Sequence, residues 1–150
     1  MKCEGKVMAK NTGCTLEYSE ERISALMREY EKYIASCDYI CMPEVFNHIV
    51  NQPCCRFWVS SIRAAAVIAK MIKGGDLKRM RSTKREMFQE IFNRVVALRK
   101  RNPGISLFQS VSIVVSQPAP KFYLSPSSAK IMVYKAKKEW YERKRRKLLL

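Results

Sequence analysis

The sequence predicts an all-α fold: two tandem three-helix repeats, offset by 65 residues, packed as one pseudo-symmetric helical bundle. Three observations predict it. Sliding the chain against itself aligns Ile49-Val50-Asn51-Gln52-Pro53-Cys54-Cys55-Arg56-Phe57-Trp58-Val59-Ser60 with Val114-Val115-Ser116-Gln117-Pro118-Ala119-Pro120-Lys121-Phe122-Tyr123-Leu124-Ser125. Five of the twelve positions are identical and five more are conservative, so the match sets a register. In that register, Ile23, Leu26, Met27, Tyr30 and Tyr33 fall opposite Phe88, Ile91, Phe92, Val95 and Leu98. Both sets follow the i, i+3, i+4, i+7 spacing of one helix face. Finally, cap and stop residues recur where helices should begin and end.

The elements follow in order. Residues 1–18 are an N-terminal arm and residues 19–73 the first repeat. Its first helix opens at Ser19-Glu20-Glu21, with carboxylates at the positive end of the helix dipole. A short apolar helix follows and ends at Pro53. Ser60 caps the third helix, which carries Ala64, Val67 and Ile68 inward and stops at Gly74-Gly75. Residues 74–82 form a basic linker. Residues 83–138 are the second repeat, opened by a Thr83-x-x-Glu86 capping box. Asn102-Pro103-Gly104 separates its first two helices, and Pro118 ends the second. The run Val111 to Val115 has strand-like composition, but the register assigns it to a helix. Ser125 caps the last helix with Pro126 at its first position. Ala129, Met132, Val133, Ala136 and Trp140 form its apolar face, and residues 139–150 extend it as a basic tail. Residues 57–59 and 122–124 read as short extended pieces.

Composition narrows function. The 150 residues hold 29 Lys+Arg against 13 Asp+Glu, a net charge of +16, at 47% hydrophobic content. That content calls for a packed core and argues against a disordered basic tail. The first 60 residues carry a net of −1, residues 61–120 a net of +9 and residues 121–150 a net of +8. Such asymmetry points to a polyanionic partner. No secretory signal or membrane span is read, so a reducing, cytoplasmic setting associated with the nucleoid or a nucleoprotein is expected. Cys3, Cys14, Cys37, Cys41, Cys54 and Cys55 lack zinc spacings, and the second copy of the repeat has Ala119-Pro120 in place of Cys54-Cys55. They are read as thiols, several of them small core hydrophobes. No metal or cofactor is expected.

The candidate site residues are cations. The linker and following helix start carry Lys78, Arg79, Arg81, Lys84 and Arg85; the end of that helix carries Arg99, Lys100 and Arg101. Lys121, like Arg56, sits beside an aromatic pair. The last helix adds Lys130, Lys137, Lys138, Arg143, Lys144, Arg145, Arg146 and Lys147. These would contact DNA or RNA phosphates without sequence preference, drawing affinity from counterion release. The aromatics of Arg56-Phe57-Trp58 and Lys121-Phe122-Tyr123 could stack on bases, but their recurrence at matched positions favours core packing. The connection from Gln52 to Val59 is too long for a standard helix-turn-helix. Glu44 and His48 share a helix face, yet their counterparts are Gln109 and Ile113, so no enzyme is expected.

Two strings, Gln117-Pro118-Ala119-Pro120-Lys121-Phe122-Tyr123-Leu124-Ser125 and Lys84-Arg85-Glu86-Met87-Phe88, together with the block from Arg56 to Ser60, carry a family likeness. Over residues 20–147 the chain resembles short basic proteins of gut Bacteroides-type bacteria and their phages or mobile elements. The resemblance implies a mobile-element nucleic-acid partner and assigns no site residue. Cys54-Cys55 departs from the small or proline residues usual there. The reading is a non-enzymatic nucleic-acid-binding accessory, with no membrane partner. A homo-oligomer and a protein partner within a mobile-element complex are compatible with it. Two alternatives stand beside it: a protein-interaction or virion scaffold, including a reverse-transcriptase accessory, and a nuclease or recombinase fragment using Glu44 and His48.

Overall fold

Apolar spacing and helix punctuation divide the chain into six helices in a computed structural model that describes residues 18–149. The N-terminal arm, with Cys3 and Cys14, lies outside the described residues apart from Tyr18. The helices are α1 (Ser19–Ser36), α2 (Met42–Val50), α3 (Ser61–Ile72), α4 (Ser82–Arg101), α5 (Leu107–Val115) and α6 (Pro126–Leu149). No strand forms among the described residues; the extended pieces expected at 57–59 and 122–124 are irregular, and one antiparallel bridge joins Cys54 and Ala119 just before them.

Local chemistry explains most boundaries. Ser60 accepts from the Arg63 amide at 3.2 Å and Ser125 from the Ser128 amide at 3.1 Å, so both third helices are capped by serine. α5 opens on a reciprocal Ser106–Gln109 capping box that the sequence reading did not identify. That cap, next to Pro103-Gly104, holds the valine-rich segment as a helix. α3 ends in a Schellman turn: the Gly75 amide donates to Lys70 and the Gly74 amide to Met71, with Gly74 at φ +87°. The expected Thr83-x-x-Glu86 capping box does not form. The N-cap of α4 falls two residues earlier, at Arg81, and no side chain caps the helix. Glu86 is drawn away to Lys121, 2.6 Å distant.

Packing departs from the order of the sequence. α3 packs against α4 and α5, while α6 packs against α1 and α2. The three-helix groups are therefore α1–α2–α6 and α3–α4–α5, each taking its third helix from the other half of the chain. The boundaries 19–73 and 83–138 divide the sequence but not these packing groups. Helix pairs correspond at the offset of 65, since α1·α2 matches α4·α5 and α2·α6 matches α5·α3.

The crossing is fixed where the two Pro-containing connections meet. Cys54 and Ala119 exchange backbone hydrogen bonds of 3.0 and 2.9 Å. The Phe57 amide donates to Val115, and the Phe122 amide to Val50, each at 3.0 Å. Phe57 stacks on Tyr123 with centroids 6.0 Å apart, and Trp58 on Phe122 at 6.4 Å. Residue i meets the counterpart of j, and j meets the counterpart of i, as across an isologous interface. The core follows the same register: Leu26 and Ile91, Ile49 and Val114, Phe57 and Phe122, Ala64 and Ala129, Ile68 and Val133 are all buried.

Candidate nucleic-acid interface

The cations fall in several places rather than on one face. Lys78, Arg79, Arg81, Lys84 and Arg85 are exposed around the start of α4; Arg99, Lys100 and Arg101 are exposed at its end. Lys84 and Arg99 lie fifteen residues apart on one helix, roughly 22 Å at 1.5 Å per residue. The linker folds back on the helix it precedes: Asp76 accepts from the Lys78 amide at 3.2 Å, and the Arg85 guanidinium donates to the Lys78 carbonyl at 3.5 Å.

The structure brings Arg81, Lys84 and Arg85 together with Arg22 of α1, which the sequence reading did not single out. All four line a cavity of about 660 Å³ between the start of α4 and the start of α6. Tyr123, Ser128 and buried Trp58 complete the parts of its wall that matter here. Among the described residues that line it, none is acidic. The Trp58 indole N–H acts on the Cys54 sulfur, a weak acceptor. Tyr123 holds a left-handed backbone at φ +57°, a conformation that costs a non-glycine residue roughly 1–2 kcal/mol. Its hydroxyl is pushed up to about 12 by burial, with Glu90 acting in the same direction.

Lys121 is committed elsewhere. Its ammonium pairs with Glu86 at 2.6 Å and lies 5.5 Å from the Tyr123 ring centre, so its charge is largely answered within the protein. Arg56 donates to the Phe57 carbonyl at 3.1 Å and stacks 3.8 Å over Tyr18. Phe57, Trp58 and Phe122 are core residues, closed to stacking on bases. Only Tyr123 of the four aromatics is half-buried.

α6 carries the rest. Lys130 lies near the Tyr134 ring, and Lys137 is half-buried, donating to the Tyr30 hydroxyl at 3.3 Å. From Lys138 to Leu149 every residue is exposed while the helix continues, for roughly 18 Å. Lys138, Arg143, Lys144, Arg145, Arg146 and Lys147 ride on that segment. Trp140, assigned to the apolar face, is half-exposed. The apolar face fades because, among the described residues, those beside α6 at this level come from α1, Ile23 and Met27 among them.

Elsewhere, His48 is exposed with its ring 4.1 Å from that of Tyr33, and Glu44 is exposed one turn earlier. Among the described residues no group of three or more His, Cys, Asp or Glu could hold a metal ion. Cys37, Cys41, Cys54 and Cys55 are free thiols; Cys54 is buried and Cys55 exposed. No described helix is long and apolar enough to cross a membrane. No protein-family model, curated protein or solved structure matches the chain.

Proposed function

We propose that the protein binds nucleic acid without catalysing a reaction on it, gripping phosphates through the far end of α6 and the cations at the start of α4. One observation carries this reading: the last twelve residues of α6 remain helical while every one of them is exposed, and they hold six cations against Glu139 and Glu142. A bare helix in water gains little from repelling charges at i, i+3 and i+4. A line of phosphates removes that repulsion and releases counterions. The resemblance to short basic proteins of phages and mobile elements supports an accessory role in such a machine. A cytoplasmic, nucleoprotein-associated location follows from the same reading.

Replacing Arg143, Lys144, Arg145, Arg146 and Lys147 by Gln tests it. Affinity for a short DNA or RNA duplex should fall tenfold or more, about 1.4 kcal/mol. An unchanged affinity clears the helix of the role.

A second reading draws on the apolar side chains of the same helix. Ile131, Tyr134, Trp140 and Tyr141 are exposed beside the cations, as a protein-docking helix would present them. Nucleic-acid-free protein that forms a stable oligomer by light scattering, and does not retard labelled DNA or RNA, would favour this scaffold role.

A further inference from the structure

We propose that the groove between the ends of α3 and α4 docks an acidic amphipathic helix of a protein partner. The docking is independent of the nucleic-acid reading, which uses the far end of α6 and the start of α4.

The fold builds this groove twice, and the two copies differ where it matters. α3 packs on α4 as α6 packs on α1. At the offset of 65, Phe92 and Val95 stand where Met27 and Tyr30 stand in the other copy. The next pair changes in kind: Val96 takes the place of Glu31, and Ile72 the place of Lys137. One groove is lined at these two places by a carboxylate and an ammonium, the other by two apolar side chains. Ile72 is 48% exposed, and Phe92 and Val96 are half-buried. Apolar residues that meet water where the matched copy carries charge mark a contact surface.

Cover differs as well. α6 runs on past this level, and its Trp140 lines the groove on α1. The counterpart of Trp140 is Gly75, in the turn that stops α3. Among the described residues no helix therefore continues α3 along α4, and a groove of about 520 Å³ with an apolar floor is left there. A helix from outside, lying where α6 lies in the other copy, would set apolar anchors one turn apart on that floor.

Charge selects the helix. Arg99 and Lys100 line the groove, and among the described residues that line it none is acidic. With Arg101 they form the last turn of α4. The negative end of a helix dipole answers only about half a unit charge, so three cations leave an excess. Glutamates or aspartates flanking the anchors would meet it. A second copy is the poorer occupant, since it brings the same net charge of +16 and its exposed apolar side chains on α6 stand among cations. A nucleic-acid strand could meet the cations, but its phosphates gain nothing from Ile72 and Val96.

The probe is a labelled synthetic peptide with leucines at i, i+3 and i+7 and glutamates on its other faces, set against a scrambled isomer of the same composition. By fluorescence anisotropy the protein should bind the periodic peptide about tenfold or more tighter than the isomer. Ile72→Lys/Val96→Glu installs the residue types of the other copy, and it should abolish that preference with little change in the thermal midpoint. Replacing residues 143–147 by Gln should leave the preference intact. If Ile72→Lys/Val96→Glu does not fold, a photoreactive group on the peptide's central leucine decides with the unaltered chain: adducts should fall at residues 71–72 or 92–103. Equal binding of the two peptides, a preference that survives Ile72→Lys/Val96→Glu, or adducts elsewhere overturns the proposal. A dimer that the same double substitution dissolves hands the groove to a second copy, and crosslinks from a DNA or RNA strand at residues 72 and 96 hand it to nucleic acid; either result also overturns it.

Discussion

Cys54 sits where the two connections cross, and its chemistry records how closed that place is. Burial pushes its thiol from the ordinary 9.0 up to about 11, the Trp58 indole pulling slightly the other way. Tyr123 nearby is raised in the same manner, from 10.0 to about 12. Both groups keep their protons in the fold at pH values where the unfolded chain loses them. The folded state therefore binds more protons across that range, and stability falls as pH rises. The thermal midpoint should change little from these groups below about pH 9 and drop progressively toward pH 11–12. Cys54→Ala should soften the drop, and the fold should accept it because Ala119 fills the corresponding place. A midpoint that rises with alkaline pH would contradict the burial of these groups. The neighbouring thiol of Cys55 is exposed, so a thiol reagent at pH 8 should label it well before Cys54.

Helices and their ends were legible in the sequence wherever the signal was local. Ser60, Ser125, Pro126 and Gly74 act as read, because a cap or a Schellman turn needs only residues a few positions apart. The Thr83-x-x-Glu86 box failed because Glu86 found Lys121, 35 residues away, a competitor that no local pattern announces. Trp140 failed for a related reason: helical spacing predicts a face but not how far a neighbouring helix runs alongside it. The exchange of third helices was likewise hidden, since periodicity states which side of α3 is buried and not whose side it meets. That exchange makes a prediction. Phe57 is fully buried, stacks on Tyr123 and donates its amide to Val115, so it ties the halves together. Phe57→Ala should cost about 3–5 kcal/mol. The loss should appear as one cooperative unfolding transition at lower temperature, followed by far- and near-ultraviolet dichroism alike. Two separated transitions would mean that the packing groups are independent.

For the whole molecule, the proposed partner rests on charge, and the fold sets where that charge can act. The sequence located the excess beyond residue 60, but it treated every cation as equivalent. In three dimensions Lys121 is paired, Lys137 is half-buried against Tyr30, and Arg99 to Arg101 stand roughly 22 Å from the start of α4. What stands exposed is the cluster of Arg81, Lys84 and Arg85 at the start of α4, near Arg22, and the row of cations at the end of α6. Arg22 was not legible because the first 60 residues are net negative and it belongs to a helix far away in sequence. Phosphate contact is therefore the driving force proposed for association. The most direct test is the affinity for a DNA or RNA duplex measured from 50 to 300 mM salt. With five or more phosphates engaged, log affinity should fall against log salt with a slope steeper than about −3. A slope near zero would contradict phosphate contacts as the basis of binding.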